Sequence, residues 1–425
     1  MQKKPITIAA AGALILGYAT TCQAVSWKAG DWDLSMSGEI NVNNVWTQCE
    51  KSQDASQIDG GLVCTEGSGS GGDRQNFSVQ NGLLPASIVF GAETQQQGWD
   101  ISGQVGLFPG IATNDPAGGG GPNIRGAGAF ENTGLGTTGL DIRQVFLKFS
   151  RDDVGTFKLG RDYGLFGFDA IVNDMTIQGV GAVQSNPGQP ANTTLGSIGT
   201  GYVYTDIFAQ SDYTTPSLHG LTATIGVFEP LDPVNLSGDS AFAKGQKVSN
   251  PGTHGQIRYE FDTDSVDGFL STDFIQQDQP GLTNASNDQL SGHSFGWDVT
   301  GKVNVAGLSL LGYYYTGKGL GTTAPFFDAF DTQGKERDSD GFLAQATYTF
   351  GATTLGVNYG ESNLDQTRND PNTLLDQHRK YTVGVYHNLT DNLLLVGEYT
   401  DFRAKNHAGD KNTSSNVNAG AMFSF

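Results

Sequence analysis

The sequence predicts an all-β fold: a transmembrane antiparallel β-barrel of about sixteen strands with one long loop folded into its lumen. Three observations predict it. Apolar side chains recur at every second position through many short segments, the connections between those segments alternate between short and long, and the last segment ends on an aromatic residue, Phe425. An alternating strand presents one greasy and one wet face, which is what a wall between lipid and a watery lumen requires.

The amino terminus precedes the barrel. Lys3 and Lys4 lead into an apolar run from Ile6 to Ala19, and Cys22-Gln23-Ala24 offers small residues where a signal peptidase reads. This is the pattern of a secretory signal peptide over residues 1–24, since the apolar core is too short to remain as a membrane anchor. Cleavage removes two positive charges, so the formal charge goes from −20 to −22. So acidic a chain is a poor partner for nucleic acid, whose phosphates need a basic surface.

Residues 25–425 then form the barrel domain. Mean hydropathy is −0.30 and no apolar run after residue 24 reaches helix-spanning length, which excludes a helical membrane protein. In chain order the alternating segments fall at 34–43, 86–92, 99–107, 145–149, 156–160, 210–215, 221–227 and 257–261. They continue at 269–275, 295–303, 308–314, 342–350, 355–359, 381–385, 393–399 and 417–425. The even number is what a single-chain bacterial barrel needs.

Short connections include Thr94 to Gly98, Arg151 to Gly155, Ala306-Gly307, Gly351-Ala352 and Asn388 to Asn392. Long ones include Thr47 to Phe77, Gly110 to Leu140, Pro230 to His254, Gly317 to Ser339, Ser362 to Arg379 and Arg403 to Ser414. Short turns on one rim and long loops on the other is an outer-membrane arrangement that a soluble sandwich gives no reason for. The final strand must pair with the first, because unpaired backbone groups facing lipid cost several kcal/mol each. Phe425 at its end fits an assembly signal.

Of the three cysteines only Cys49 and Cys64 remain after cleavage, both in one polar, glycine-rich stretch. In an oxidising compartment they are expected to pair, contributing about 3 kcal/mol by constraining the unfolded chain. With no Cys-x-x-Cys present, the bond ties down a surface loop rather than doing redox chemistry.

The stretch that organises the rest is 141–196. Two alternating runs, Val145 to Phe149 and Thr156 to Gly160, flank the polar turn Ser150 to Gly155, and a loop over 162–196 follows. It is rich in Gly, Asn, Gln and Pro and too long for an ordinary connection, so it is read as the constriction loop.

The succession Phe146-Leu147-x-Phe149, Val154-Gly155-Thr156-Phe157, Leu159-Gly160-Arg161-x-Tyr163-Gly164 and Asn173-Asp174-Met175 resembles the strand, turn, strand and constriction loop of the Gram-negative general diffusion porins. Tyr213 to Leu221 is similar to the turn these porins place soon afterwards. The resemblance implies an outer-membrane location, a homotrimer, contact with outer-membrane lipid and lipopolysaccharide, recognition of Phe425 by the barrel-assembly machinery, and passive diffusion of small hydrophilic solutes and ions. It also implies a waist where basic wall residues face acidic loop residues.

By that resemblance Arg161 is the wall arginine and Asp174 the loop carboxylate, while Gln178 stands where a second acid is common. Glu39 and Ser87 stand where basic residues are frequent, which weakens the positive side and implies a mild cation preference. Lys148 alternates inward with Phe146 and restores one positive charge. Arg161 shares parity with Phe157 and Leu159, so turning it inward requires a kink, for which Gly160 is the natural site. Otherwise it lies at the rim beside a lipid phosphate or a neighbour's acid.

Enzyme chemistry finds no support. The six histidines are scattered, and His-Glu-x-x-His does not occur. Asp262, Asp264, Asp267 and Gly268 lack the full spacing of a calcium loop and read as a polar turn, so neither metal nor cofactor is expected. Two other functions compete with diffusion. One is a sealed barrel acting as adhesin or receptor through its long acidic loops. The other is a substrate-specific channel, for which Phe108, Tyr313 and Tyr315 are candidate inward aromatics.

Overall fold

The computed structural model describes residues 24–50, 58–64, 75–111, 140–183, 193–243 and 249–425. The expected signal peptide, apart from Ala24, lies outside the described residues. In chain order the strands are β1 (Val25–Ala29), β2 (Trp32–Cys49), β3 (Gln75–Gln80), β4 (Ser87–Gln96), β5 (Trp99–Pro109), β6 (Leu140–Arg151), β7 (Gly155–Tyr163), β8 (Ile207–Thr214) and β9 (Leu221–Phe228). There follow β10 (Gly252–Asp262), β11 (Val266–Thr283), β12 (Gln289–Val305), β13 (Leu308–Lys318), β14 (Asp338–Phe350), β15 (Thr353–Leu364), β16 (Leu375–Thr390), β17 (Leu393–Asn406) and β18 (Lys411–Ser424).

Consecutive strands pair antiparallel except β3 and β4, and β18 closes on β2 from Ser414↔Cys49 to Ser424↔Glu39. The terminal residue completes this seam: Phe425 and Gly38 exchange backbone hydrogen bonds of 2.9 and 3.0 Å. β3 and β4 are two halves of one stave, since both pair with β2, and β1 folds back on the first residues of β2. The result is a closed barrel of sixteen staves, in which β18 and β2 cover each other's edges.

The period-two pattern explains the outside. Ile40, Val42, Leu147, Leu270, Val357 and Val383 are exposed on a belt that faces lipid. Aromatic contacts mark both borders of that belt. Beside the short turns lie Trp99, Phe149, Phe157 and Tyr213 in successive ring contact. Towards the long loops lie Trp46–Phe77, Phe342–Tyr359 and Tyr381–Tyr399.

Polar strand ends extend beyond the belt, so some connections are shorter than their sequence suggested. The one expected over 403–414 shrinks to 407–410, and that expected over 362–379 to 365–374. A disulfide joins Cys49 at the top of β2 to Cys64. Its loop end, Ile58 to Cys64, is clasped by Asp59 N to Thr373 O at 2.9 Å and Leu62 N to His378 Nε2 at 3.1 Å.

The apolar core lies inside the barrel, not between layers. Phe166, Met175, Ile198, Tyr202, Leu320, Phe326, Phe327, Phe330 and Phe402 belong to one buried cluster formed by loops and the upper wall. Arg337, 1% exposed, holds the outer loops together. It donates to Asp370 at 2.5 and 2.9 Å, Ser240 at 2.7 Å, and the carbonyls of Asp328 and Asp239 at 2.8 and 3.0 Å.

Candidate functional site

The connection from β7 to β8, residues 164–206, turns into the lumen. Gly167 at φ 74° permits the sharp entry to a four-residue helix, α1 (Phe168–Ile171). A 3-10 turn, Met175–Gln178, follows, capped by Asp174, whose side chain accepts from Thr176 N at 2.9 Å.

Side chains of the far wall then grip the backbone of this loop. On β12, Asp298 accepts from Gly167 N at 2.8 Å and from Tyr313 Oη at 3.1 Å. Gln345 on β14 bonds Met175 N at 2.7 Å and Asn173 O at 2.9 Å. Ser362 on β15 accepts from Gly201 N at 3.1 Å. Glu398 on β17 accepts from Val180 N at 2.7 Å, Gly181 N at 3.0 Å and Tyr386 Oη at 2.6 Å. Each contact satisfies a donor or acceptor that an irregular buried segment would otherwise leave orphaned.

Residues 81–86 explain why the second stave is interrupted. They leave the ladder and dip inward, where Leu83 N donates to Gly179 O at 2.9 Å and Gly82 N to Asn41 Oδ1 at 2.9 Å. A Cβ at Gly82 would run into the Gly179 carbonyl, so only glycine admits this approach.

The consequence is a lumen divided in two. Inward residues of β11 to β18 lie beneath the loops and are buried: Thr300, Ser362, Thr382 and Thr400 are each 0% exposed. Inward residues of β4 to β10 towards the short turns remain partly exposed, among them Glu93, Ser102, Gln104, Phe146, Lys148, Lys158, Asp162, Thr224, Gln256 and Arg258, whereas Phe108, Arg143, Phe208, Phe228 and His254 towards the long loops are buried. Charges on this free wall form pairs. Lys158 Nζ lies 2.9 Å from Asp162 and 3.3 Å from Asp212. Arg258 reaches Asp169 of the inserted helix at 2.5 Å and Glu260 at 2.9 Å, with its guanidinium 3.8 Å from the Phe269 ring. Arg258 and Asp169 are thus a basic wall residue set against an acidic loop residue.

Several residues singled out in the sequence sit elsewhere than expected. Asp174 is fully buried and turned into the loop. Besides Thr176 N it accepts from Tyr202 Oη at 2.9 Å, Ser197 N at 3.1 Å and Asn358 Nδ2 at 3.1 Å. Burial, then the Asp174 carboxylate, raise the Tyr202 phenol well above its ordinary value, which keeps it a donor. Gln178 is buried on the same loop.

Glu39 and Ser87 face each other across β2 and β4, with Ser87 Oγ donating to Glu39 Oε1 at 3.2 Å. Arg161 lies opposite Val145 on β6 and Ala209 on β8, both outward, and neither pairing shifts register. The inward kink expected at Gly160 is therefore absent, although Gly160 takes φ 134° because a Cβ there would meet the Val145 carbonyl. The bulge falls instead in β6, opposite Gly106/Leu107, and turns Arg143 inward, where it bonds Asp141 at 3.0 Å. Phe108, Tyr313 and Tyr315 do point inward, but all are buried by the loops.

Lys158, Asp162, Asp169, Asp212, Glu93 and Arg258 were missed. Lys158 and Asp162 share inward parity with Thr156, which the sequence carries. Their convergence with Asp212, Asp169 and Arg258 depends on register and is visible only in the fold.

A closed outer-membrane barrel with a loop drawn across its lumen is the architecture of a diffusion channel. The chain belongs to the Gram-negative porin family, whose model matches residues 10–407. Among curated proteins none matches. Solved structures with similar folds include the outer membrane channel DcaP of Acinetobacter baumannii, with TM-score 0.64 and 12% identity, covering 94% of this chain and 100% of that one. The anion-selective porin of Comamonas acidovorans aligns at TM-score 0.57 and 12% identity over 93% and 100% of the two chains. Salmonella typhi OmpF, solved with daunomycin, aligns at 0.56 and 12% over 94% and 100%. At such identities the likeness is one of fold.

Proposed function

We propose that this protein is a passive channel for small hydrophilic solutes and ions, working as a homotrimer in outer-membrane lipid and lipopolysaccharide after the barrel-assembly machinery has read Phe425. The observation that carries the reading is the division of the lumen: one arc is packed under the loop, while the arc from β4 to β10 keeps polar and charged side chains accessible towards the short turns. Within this reading Lys148 lines the permeation path, the buried Glu39–Ser87 pair is packed away from it, and Asp174 and Gln178 shape the loop that bounds it.

A mild cation preference follows from the balance of that arc. Lys158 is matched by both Asp162 and Asp212, and Arg258 by both Asp169 and Glu260, so carboxylates exceed cations there. Liposome swelling with small sugars tests the channel, and the reversal potential in a salt gradient tests the preference. Absence of swelling refutes the first and an anion-selective potential the second.

One observation favours a narrower reading. The outer loops are locked over the packed arc by Arg337 and by the buried Phe326, Phe327 and Phe330, which suits a channel restricted in what it admits. A sharp sugar-size limit in the swelling assay supports that restriction.

A further inference from the structure

The free wall carries two charged side chains that the pairing around them leaves over. Strand register places Glu93, Ser102, Lys148, Lys158 and Asp212 side by side in one row across β4, β5, β6, β7 and β8. All five face the lumen. Lys158 is held by its carboxylates, as are Arg258 and Arg143 elsewhere on this wall. Among the described residues, the side chains of Glu93 and Lys148 make no hydrogen bond or ion pair, although Lys148 lies within the fields of Glu93, Asp162 and Lys158. One carboxylate and one ammonium therefore flank a serine hydroxyl on an accessible surface.

We propose that Glu93, Ser102 and Lys148 form a binding site for small zwitterions, of amino-acid to dipeptide size, on the permeation path. The spacing supports it. Neighbouring strands are about 4.8 Å apart, so the backbones of Glu93 and Lys148, two strands apart, are separated by about 10 Å. Two long inward side chains span part of that distance without forming an ion pair, and are near enough to hold one solute between them. An extended chain advances about 3.4 Å per residue, so a dipeptide sets its terminal ammonium and carboxylate roughly 7 Å apart. The ammonium goes to Glu93 and the carboxylate to Lys148, with Ser102 free to donate or accept at the peptide group. A purely cationic or anionic solute meets one attractive and one repulsive charge, and a neutral one meets neither attraction. Exposed ion pairs are weak, which suits a site a solute must enter and leave.

This inference rests on the lumen being conductive, and the experiment separates the two claims. Proteoliposomes carrying wild type, Glu93→Gln, Lys148→Gln or the double variant are assayed for uptake of glycylglycine and of neutral N-acetylglycinamide, close to it in size. Single-channel conductance and reversal potential are recorded for each. Wild type should admit the zwitterion about threefold faster than the neutral solute at low concentration, and every variant should bring that ratio to about one. Lys148→Gln should also shift the reversal potential towards cations and Glu93→Gln towards anions, with the double variant near wild type. A ratio of one in wild type, or a ratio the variants leave unchanged while all of them conduct, overturns the site. A wild type that neither conducts nor admits either solute refutes the channel itself.

Discussion

Glu398 offers the sharpest perturbation of the loop. Its carboxylate accepts from Val180 N, Gly181 N and Tyr386 Oη, and it is 4% exposed. Glu398→Ala leaves three donors without a partner. A buried donor so orphaned costs about 1–3 kcal/mol, which sets a ceiling of roughly 3–9 kcal/mol before water enters or the loop relaxes. Even the lower figure changes the ratio of docked to released loop by roughly a hundredfold, at 1.4 kcal/mol per tenfold. Gln345 and Ser362 still hold other points of the loop, so release should be confined to the segment around Gly179 to Gly181. Single-channel recording should show a larger and noisier conductance, and swelling assays should admit larger sugars. The barrel ladder is untouched, so resistance to heat before electrophoresis should persist. Gly179→Ala should act in the same direction, because its Cβ would collide with the Glu398 carboxylate. If Glu398→Ala keeps the conductance, noise and size limit of wild type, this account of how the loop is held is wrong.

Other outcomes follow from the outer loops. Replacing Cys49 and Cys64 with serine should lower stability by about 3 kcal/mol, read as an earlier midpoint in denaturant. Arg337→Ala strands the buried Asp370 carboxylate, and breaking such a pair costs about 3–5 kcal/mol, so the outer loops should become susceptible to protease while the barrel persists. Asp331 gives a pH dependence. Burial pushes its carboxyl up, but hydrogen bonds from Thr367, Lys335 N, Asn369 and Gln333 N outweigh that, and its folded value lies below the ordinary 3.8. Its contribution is therefore present above pH 3.8 and lost as the pH falls through the lower folded value. Protease sensitivity of the outer loops should rise in that acid range in wild type and rise less steeply in Asp331→Asn.

The sixteen staves were legible because alternation is a local signal repeated on every strand. It fails where lipid no longer imposes a face, which is why the strand ends above the belt were shorter in the sequence reading than in the fold. β3 is hard to read in the sequence although Phe77 and Val79 alternate outward, because residues 81–86 break the stave beside it. The bulge in β6 left a trace in the sequence: Ile142 and Val145, both outward, are three apart where alternation allows two or four. That trace marks Arg143 as inward. For Arg161 the presence of Gly160 suggested a kink, yet a glycine can serve close strand approach without shifting register, and here it does. Asp174 was recognisable as the loop's carboxylate, but its burial depends on Ser197, Tyr202 and Asn358, which are distant in sequence. Pairings made across a barrel leave no periodic mark.

The central claim is that solutes pass along β4 to β10 and not along the arc beneath the loop. Single cysteines at Ser102 and Thr400, each in a chain with Cys49 and Cys64 replaced by serine, can be exposed to a charged thiol reagent during bilayer recording. The account predicts that Ser102→Cys reacts quickly, with a stepwise change in current, and that Thr400→Cys does not react. Rapid modification at Thr400→Cys, or none at Ser102→Cys, would contradict it.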